Sequence, residues 1–259
     1  YQALDDAMQK KIFGSAGTKV VIEDFLEGEE ASFIVLCDGK KTIPFASSQD
    51  HKARDNNDLG PNTGGMGAYS PAPIVTEEIH KQVMEKIIKP TIDGLKSEGI
   101  TYKGFLYAGL MIKNSEISVL EFNCRFGDPE TQPILMRMES DLAEICLLAA
   151  QGNLNEREIS WTKDSALGVV IASKGYPFEY EKNKEINNLE NENSCQKVFH
   201  AGTKTQEGKV LSNGGRVLCV TALGSTLLDS KNLAYQKVKN IDWKDGFYRD
   251  DIGDKAIKS

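Results

Sequence analysis

Val119-Leu-Glu-Phe-Asn-Cys-Arg-Phe-Gly-Asp-Pro-Glu130 is the most informative stretch of the chain, and its first half predicts the end of a β-strand. Residues two apart on a strand share one face. Glu121 and Asn123 would therefore present two oxygen-bearing side chains on the same side. Such oxygens, together with substrate phosphates, suit Mg²⁺. Arg125 follows where the strand opens into a loop, and its planar guanidinium can bind a phosphate or a carboxylate.

A Glu-x-Asn pair on a strand is, taken alone, more typical of an exposed polar face than of a metal site. The loop 124–132 favours the functional interpretation, because it holds Arg, Gly, Asp, Pro and Glu directly after an apolar strand. Loops at strand ends commonly carry chemistry. We therefore predict a metal and phosphate site at this strand end.

The composition indicates a globular protein. The 259 residues are 40% hydrophobic and 27% charged, and the net charge is −7. That length allows one large domain or two ordinary ones. The charge provides no basic footprint for nucleic acid, and no apolar run approaches the roughly 20 residues that cross a bilayer. The five cysteines are widely spaced and include no Cys-x-x-Cys pair, which favours a reducing cytoplasm over a disulfide framework.

Hydrophobic periodicity predicts a mixture of helices and strands. The helices are predicted at 1–11, 76–96, 141–150 and 226–240, and the strands at 19–25, 30–37, 42–46, 105–112, 117–123, 166–172, 197–200, 209–211 and 216–223. Residues 47–73 show almost no periodicity and predict a long loop, which in a compact domain is usually functional or disordered. Asn213-Gly-Gly215 predicts a hairpin turn. The polar segment 151–165 predicts a domain boundary.

Two further segments could hold a nucleotide. The strand ending near Glu23 leads into a hinge, and seven residues later Glu30 could accept hydrogen bonds from ribose hydroxyls. Taken alone, this segment is more typical of an edge strand with solvated acids. The second segment is the glycine-rich loop 62–67, whose backbone N–H groups could approach an anion, although a mobile turn is the alternative. Near it, Asp50 or His51 could orient a substrate amine. The chain contains neither a P-loop motif nor a Rossmann fingerprint.

Three long motifs occur in this order: Gln49-Asp-His-Lys52, Gly60-Pro-Asn-Thr-Gly-Gly-Met-Gly-Ala-Tyr-Ser-Pro-Ala-Pro73 and Glu121-Phe-Asn-Cys-Arg-Phe-Gly-Asp-Pro-Glu-Thr-Gln132. Together they resemble the ATP-grasp ligases, and among these the glycinamide ribonucleotide synthetase (phosphoribosylamine–glycine ligase) family. Segments 198–203 and 214–223 add support from the second half of the chain. The resemblance implies an α+β fold: an ATP-grasp core with a mainly antiparallel sheet at 1–155, and a smaller strand-rich C-terminal domain at 156–259.

The resemblance also implies roles for nine residues. It places Glu23, Asp24, Phe25 and Leu26 around adenine, Glu30 at the ribose, Asn62 at the start of a loop beside the nucleotide and substrate, Glu121 and Asn123 on Mg²⁺ or Mn²⁺, and Arg125 beside a reacting acyl phosphate. The implied reaction consumes ATP, glycine and 5-phosphoribosylamine in de novo purine biosynthesis. We expect a cytoplasmic monomer or weak dimer without nucleic-acid or membrane partners.

The chain departs from the family pattern at its start. The family begins with a glycine-rich domain and a lid carrying lysines, and neither precedes Tyr1. We therefore expect the chain to match the C-terminal portion of such an enzyme and, alone, to bind ATP poorly. Two alternatives stay open. One is another ATP-grasp enzyme, such as a carboxylase, and the other is an inactive fragment that only binds partners.

Overall fold

The computed structural model describes residues 1–155, 157–190 and 193–258. The longest helix in these ranges, Leu227–Asn240, has 14 residues. Those in the described ranges are α1 (Gln2–Leu4), α2 (Glu77–Val83), α3 (Lys89–Ser97), α4 (Thr131–Arg137), α5 (Leu142–Gln151), α6 (Leu227–Asn240) and α7 (Asp254–Lys258). Further helical turns extend α1 at Asp5–Gln9 and join α2 to α3 at Met84–Ile88. The helices predicted at 1–11, 76–96, 141–150 and 226–240 are confirmed within a few residues.

Strands dominate the rest of the described chain. They are β1 (Glu29–Asp38), β2 (Thr42–Pro44), β3 (Gln49–Asp50), β4 (Ala53–Asp55), β5 (Leu59–Asn62), β6 (Gly67–Ser70), β7 (Lys103–Lys113), β8 (Glu116–Asn123), β9 (Ser165–Ser173), β10 (Glu185–Ile186), β11 (Gln196–His200), β12 (Thr203–Gln206), β13 (Lys209–Ser212), β14 (Arg216–Gly224) and β15 (Gly246–Phe247). The pairings between these strands are antiparallel. The predicted mixed fold with a mainly antiparallel sheet is confirmed.

The first sheet has the order β2-β1-β7-β8 and carries the predicted metal strand at its edge. One face packs against α2 and the helical turn after it through Ile79, Val83 and Ile88. Helix α2 begins where the sequence predicts, because the Thr76 side chain accepts a hydrogen bond from the Ile79 N–H and so caps the first turn. The other face packs against α4 and α5. Helix α4 follows the loop that contains Arg125 and was not predicted.

The second large sheet has the order β11-β14-β9-β6-β3, with β15 also paired to β9. Strands β3 and β6 come from residues 47–73, so the prediction of one long loop there is wrong. All four residues of β6 are buried. Such a short strand shows no periodicity of its own and is stabilised by pairing with β9, about a hundred residues later. This sheet joins residues on both sides of position 155, and the proposed division there stays a prediction.

Two other sequence predictions are wrong. Residues 19–25 form no strand, and Val21, Ile22 and Phe25 are 84%, 81% and 90% exposed. Their apolar pattern has no paired strand among the described residues, and an unpaired strand leaves its backbone groups unsatisfied. Residues 213–215 form no hairpin turn. They connect β13 of a three-stranded sheet, β10-β13-β12, to β14 of the larger sheet.

Candidate active site

The edge strand β8 brings the two predicted metal ligands together. Asn123 Nδ2 donates a hydrogen bond to Glu121 Oε1 at 3.1 Å, so both side chains lie on one face. Glu121 is paired with Gly109 of β7, and a Cβ atom at Gly109 would lie 3.2 Å from Glu121 Cγ. The glycine therefore leaves the Glu121 side chain room to lie along the sheet. The cysteine that follows, Cys124, is exposed.

A cleft lies over this strand and consists of two adjoining cavities. The smaller, of about 230 Å³, is lined by Glu30, Asp50, Lys52, Asn62 and Glu121, among others. The larger, of about 460 Å³, shares Glu30, Asp50, Lys52 and Asn62 with the smaller one, and it extends to Phe25 and Leu26. The cleft therefore brings together residues from the hinge, the start of β1, the glycine-rich loop and the metal strand.

The remaining predicted residues, including the metal-ligand candidate Asn123, lie outside these cavities. Glu23 and Asp24 are exposed in the segment before β1 and line neither cavity. Arg125 is exposed, and its Nη1 donates to the Phe126 carbonyl at 2.9 Å. The guanidinium is thus free of any ion pair to a described acidic residue, and it is held near the strand end only by its neighbour.

A buried hydrogen-bond network that sequence reasoning missed supports the floor of the cleft. Ser32 Oγ donates to Glu130 Oε1 at 2.8 Å and lies 2.9 Å from the Tyr107 hydroxyl. Burial, reinforced by the Glu130 carboxylate, raises the pKa of Tyr107 well above its usual value. Tyr107 is also the residue of β7 paired with Asn123. The network therefore connects β1, β7 and the loop after the metal strand.

Asp50 and Lys52 form an ion pair within the cleft, with Lys52 Nζ 2.9 Å from Asp50 Oδ2. The Asp50 side chain is only 2% exposed. Burial, reinforced by the nearby Glu130 carboxylate, raises the pKa of Asp50. Burial lowers the pKa of Lys52 and the Asp50 carboxylate raises it, with a net rise. Burial also raises the pKa of Glu30, and Glu121 adds to that rise.

His51 is the alternative to Asp50 for orienting an amine, but backbone groups contact both of its ring nitrogens. Its Nδ1 lies 3.3 Å from the Gly67 carbonyl, and its Nε2 accepts a hydrogen bond from the Gly253 N–H at 3.3 Å. Burial, with a smaller contribution from the Arg249 charge, lowers the pKa of His51 to about 4. The histidine is therefore neutral, and backbone groups contact both of its ring nitrogens, although it also lines the larger cavity.

This buried histidine predicts a pH dependence of stability. Its pKa in the folded chain is about 4, below the unfolded value of about 6.5, so the unfolded chain takes up the proton first as the pH falls. The stabilisation that the neutral His51 gives the folded chain is complete above about pH 6.5 and is lost towards pH 4. Between pH 7 and pH 5 we expect it to lower the free energy of unfolding by about 2 kcal/mol. Urea unfolding of the parent chain and of His51→Gln at both pH values measures it. Equal losses in the two proteins would contradict the assignment.

Two residues from the second half of the chain hold the glycine-rich loop. Arg216 Nη1 donates to the Gly64 carbonyl at 2.8 Å and also to the Asp128 carbonyl. The Tyr176 hydroxyl accepts a hydrogen bond from the Gly64 N–H at 3.0 Å. Gly65 has a φ of +112°, and a Cβ atom there would collide with Pro129. The loop is thus fastened against the segment that follows the metal strand, which a sequence pattern could not reveal.

Comparisons with known proteins identify the family to which this chain belongs. The family model of the phosphoribosylglycinamide synthetase ATP-grasp (A) domain matches residues 1–131, and that of the C domain matches residues 166–255. The chain belongs to the phosphoribosylglycinamide synthetase family. The resemblance stated from the sequence is thereby confirmed. No helix within the described ranges is long and apolar enough to cross a membrane.

Individual relatives of this synthetase-family chain support the same family assignment. It is 53% identical over 256 residues to a phosphoribosylamine–glycine ligase of Pasteurella multocida, covering 98% of this chain and 60% of that protein. The corresponding ligase of Vibrio cholerae is 54% identical over 257 residues, with the same coverage. The chain therefore spans 60% of the length of these curated relatives.

Solved structures show the same fold. A crystal structure of phosphoribosylamine–glycine ligase from Thermotoga maritima has a TM-score of 0.85 and 32% identity, covering 97% of this chain and 63% of that one. The biotin carboxylase domain of the Hydrogenobacter thermophilus 2-oxoglutarate carboxylase, solved with MgADP and bicarbonate, has a TM-score of 0.68 and 12% identity. It covers 95% of this synthetase-family chain and 53% of the carboxylase chain. At that identity the second likeness concerns the fold alone.

Proposed function

We propose that the protein carrying this chain is a phosphoribosylamine–glycine ligase. It joins glycine to 5-phosphoribosylamine at the expense of ATP, and it forms glycinamide ribonucleotide, ADP and phosphate. The observation that carries the proposal is the single cleft that Glu30, Asn62 and Glu121 line together within a chain of this family. The substrates are small molecules, and the protein works in the cytoplasm as a monomer or weak dimer.

The cleft suggests where the nucleotide binds. Phe25 and Leu26 provide apolar surface at its outer end, where they would contact adenine together with the backbone at Glu23 and Asp24. Glu30 lies at the start of β1, deeper in the cleft, and would accept hydrogen bonds from the ribose hydroxyls. Asn62 begins the glycine-rich loop and lines both cavities, so it would face the nucleotide and the substrate.

Glu121 and Asn123 fit a magnesium or manganese ion, because both carry hard oxygen donors on one face of β8 and Glu121 lines the smaller cavity. A half-turn of the Asn123 amide would direct its oxygen towards Glu121. In the described part of the chain, no group of three His, Cys, Asp or Glu side chains forms a metal site. Phosphate oxygens and water would therefore complete the coordination. When bound, the ion would neutralise phosphate charge.

The chemistry needs two steps. A carboxylate oxygen of glycine attacks the γ-phosphorus of ATP, and the bond to ADP breaks, which gives glycyl phosphate. The amine of phosphoribosylamine then attacks the carbonyl carbon, phosphate leaves, and the nitrogen loses a proton. The exposed guanidinium of Arg125 would contact the transferring phosphoryl group and stabilise the developing oxyanion. The protein positions the substrates and neutralises their charge, and it needs no covalent nucleophile of its own.

We also propose that the chain divides at 155–156 into an ATP-grasp domain and a C-terminal domain. The two matched family models leave 132–165 between them, which is consistent with that division. Arg216 and Tyr176 then act from the second domain on the loop of the first.

The direct test measures ADP formation by a form of the protein that spans the whole length of its relatives. ADP release that requires both glycine and phosphoribosylamine supports the proposal. Bicarbonate-dependent phosphate release without glycine would instead indicate a carboxylase. For the present chain alone, a rise in melting temperature with magnesium–ATP would show a working nucleotide site, and no shift would support the inert-fragment alternative.

Replacing Glu30 with alanine should weaken ATP binding more than it slows chemistry. A charged group that accepts hydrogen bonds contributes roughly 1.5–3 kcal/mol, so we expect the KM for ATP to rise roughly ten- to hundredfold. The kcat should stay within about threefold, because ribose contacts are the same before and during phosphoryl transfer. Glu85→Ala, on the exposed side of the helical turn before α3, is the matched control. An unchanged KM for ATP would exclude the ribose role.

A further inference from the structure

One buried carboxylate in the cleft keeps an oxygen without a partner among the described residues. Both oxygens of Asp50 are buried. Lys52 Nζ lies 2.9 Å from Oδ2, and Oδ1 has no hydrogen-bond partner within the described part of the chain. A buried charged group left this way costs free energy unless a ligand completes its interactions. The side chain lines both cavities of the cleft. Its position therefore indicates a partner supplied from the cleft and not from the protein.

The charge balance of the smaller cavity favours a cation as that partner. Three carboxylates, those of Glu30, Asp50 and Glu121, line it against one ammonium, that of Lys52. The fourth nearby carboxylate, that of Glu130, is already bound by Ser32 behind the cavity wall. An additional positive group would therefore relieve repulsion in this cavity. Glu121 is assigned to the metal and Glu30 to ribose, which leaves Asp50 for a different cation.

We propose that Asp50 binds the ammonium group of glycine, an assignment that rests on the proposed function. Glycine carries a positive and a negative end separated by a single carbon. With its ammonium group at Asp50, its carboxylate points towards the part of the cavity that Glu121 lines, where the phosphoryl group arrives. Lys52 would stay paired to Oδ2 and leave Oδ1 for the substrate.

The same contact explains how the enzyme directs the second step. Glycine has an amine of its own, which as a free base could attack glycyl phosphate and form a peptide. A carboxylate beside the ammonium group stabilises its protonated form, and this form has no lone pair to attack with. Asp50 is therefore a binding residue for glycine that also suppresses self-condensation. The nucleophile is then the amine of phosphoribosylamine alone.

The test uses Asp50→Asn in the full-length form, with glycine as the probe. At saturating ATP and phosphoribosylamine we expect the KM for glycine to rise by at least about tenfold, since one charged contact is lost. The KM for ATP should stay within about twofold. Calorimetric titration with glycine should show the same loss of affinity. Asp93→Asn, on the exposed surface of α3, removes an equal charge and should change neither constant.

A second pair of variants separates binding from a merely structural role. Lys52→Gln keeps the carboxylate and removes its ion-pair partner, so the KM for glycine should stay unchanged or fall. If Asp50 served only to hold Lys52, this variant would raise the KM as Asp50→Asn does, and the proposal would be overturned. Should Asp50→Asn fail to fold, Asp50→Glu, which keeps the charge and moves it, should raise the KM for glycine.

The outcomes also distinguish this assignment from the function on which it rests. A parent protein without glycine-dependent ADP formation would refute the ligase proposal itself. A fully active parent whose Asp50→Asn variant keeps its KM for glycine would refute only the role of Asp50. A change confined to the magnesium dependence would show that the carboxylate binds the metal and not the ammonium group.

Discussion

Replacing Glu121 with alanine should reduce metal-dependent turnover by at least about a hundredfold in a full-length form, because one of two protein ligands is lost. The fold should survive, since Glu121 is exposed on the edge strand β8. The variant also removes the acceptor of the Asn123 Nδ2 hydrogen bond, so the remaining ligand loses its contact with residue 121. Activity is measured as ADP release over a range of magnesium concentrations, and the fold is checked by the melting temperature.

The matched control for this variant is Glu85→Ala, which removes an exposed carboxylate far from the cleft. We expect it to keep full activity and the same magnesium dependence. Glu121→Asp should recover part of the activity at high magnesium, because the shorter side chain keeps the charge. Undiminished turnover in Glu121→Ala would refute the assignment of Glu121 as a metal ligand. It would also refute the placement of the ATP phosphates at this end of the cleft.

Replacing Arg249 with alanine should cause the largest loss of stability. Arg249 is 2% exposed. Its Nη1 donates to the Ala53 carbonyl and to Asp58 Oδ1, both at 3.0 Å. Its Nε and Nη2 donate to the two oxygens of Asp251, at 2.7 and 2.8 Å. Removing one partner of such a buried network leaves the others uncompensated, which costs about 3–5 kcal/mol.

Urea unfolding at pH 7 measures this loss, and the melting temperature should fall by roughly 10 °C for a chain of this size. Arg157→Ala is the control, because Arg157 pairs with Glu144 on the surface at 3.0 Å. An exposed pair contributes at most about 1 kcal/mol. Equal effects of the two substitutions would show that the buried network around Arg249 is not what ties β4 to the C-terminal segment.

Much of the first sheet could be predicted because its signals are local. Strands β7 and β8 show apolar periodicity over many residues, and Asn114-Ser115, both with positive φ, marks the turn between them. The spacing of Glu121 and Asn123 was enough to place both on one face, because a strand repeats every two residues. The cap at Thr76 was predictable for the same reason: its partner is three residues away.

The sequence alone determined the long elements, the spacing of the metal strand and, through three long motifs, the family. Only the tertiary structure decided that β6 pairs with β9, that backbone groups contact both ring nitrogens of His51, and that Asp50 Oδ1 has no partner among the described residues. Periodicity and capping arise between residues a few positions apart, so a sequence displays them directly. Which of two neighbouring side chains the backbone binds depends on contacts between distant segments, and only the packed chain contains those contacts.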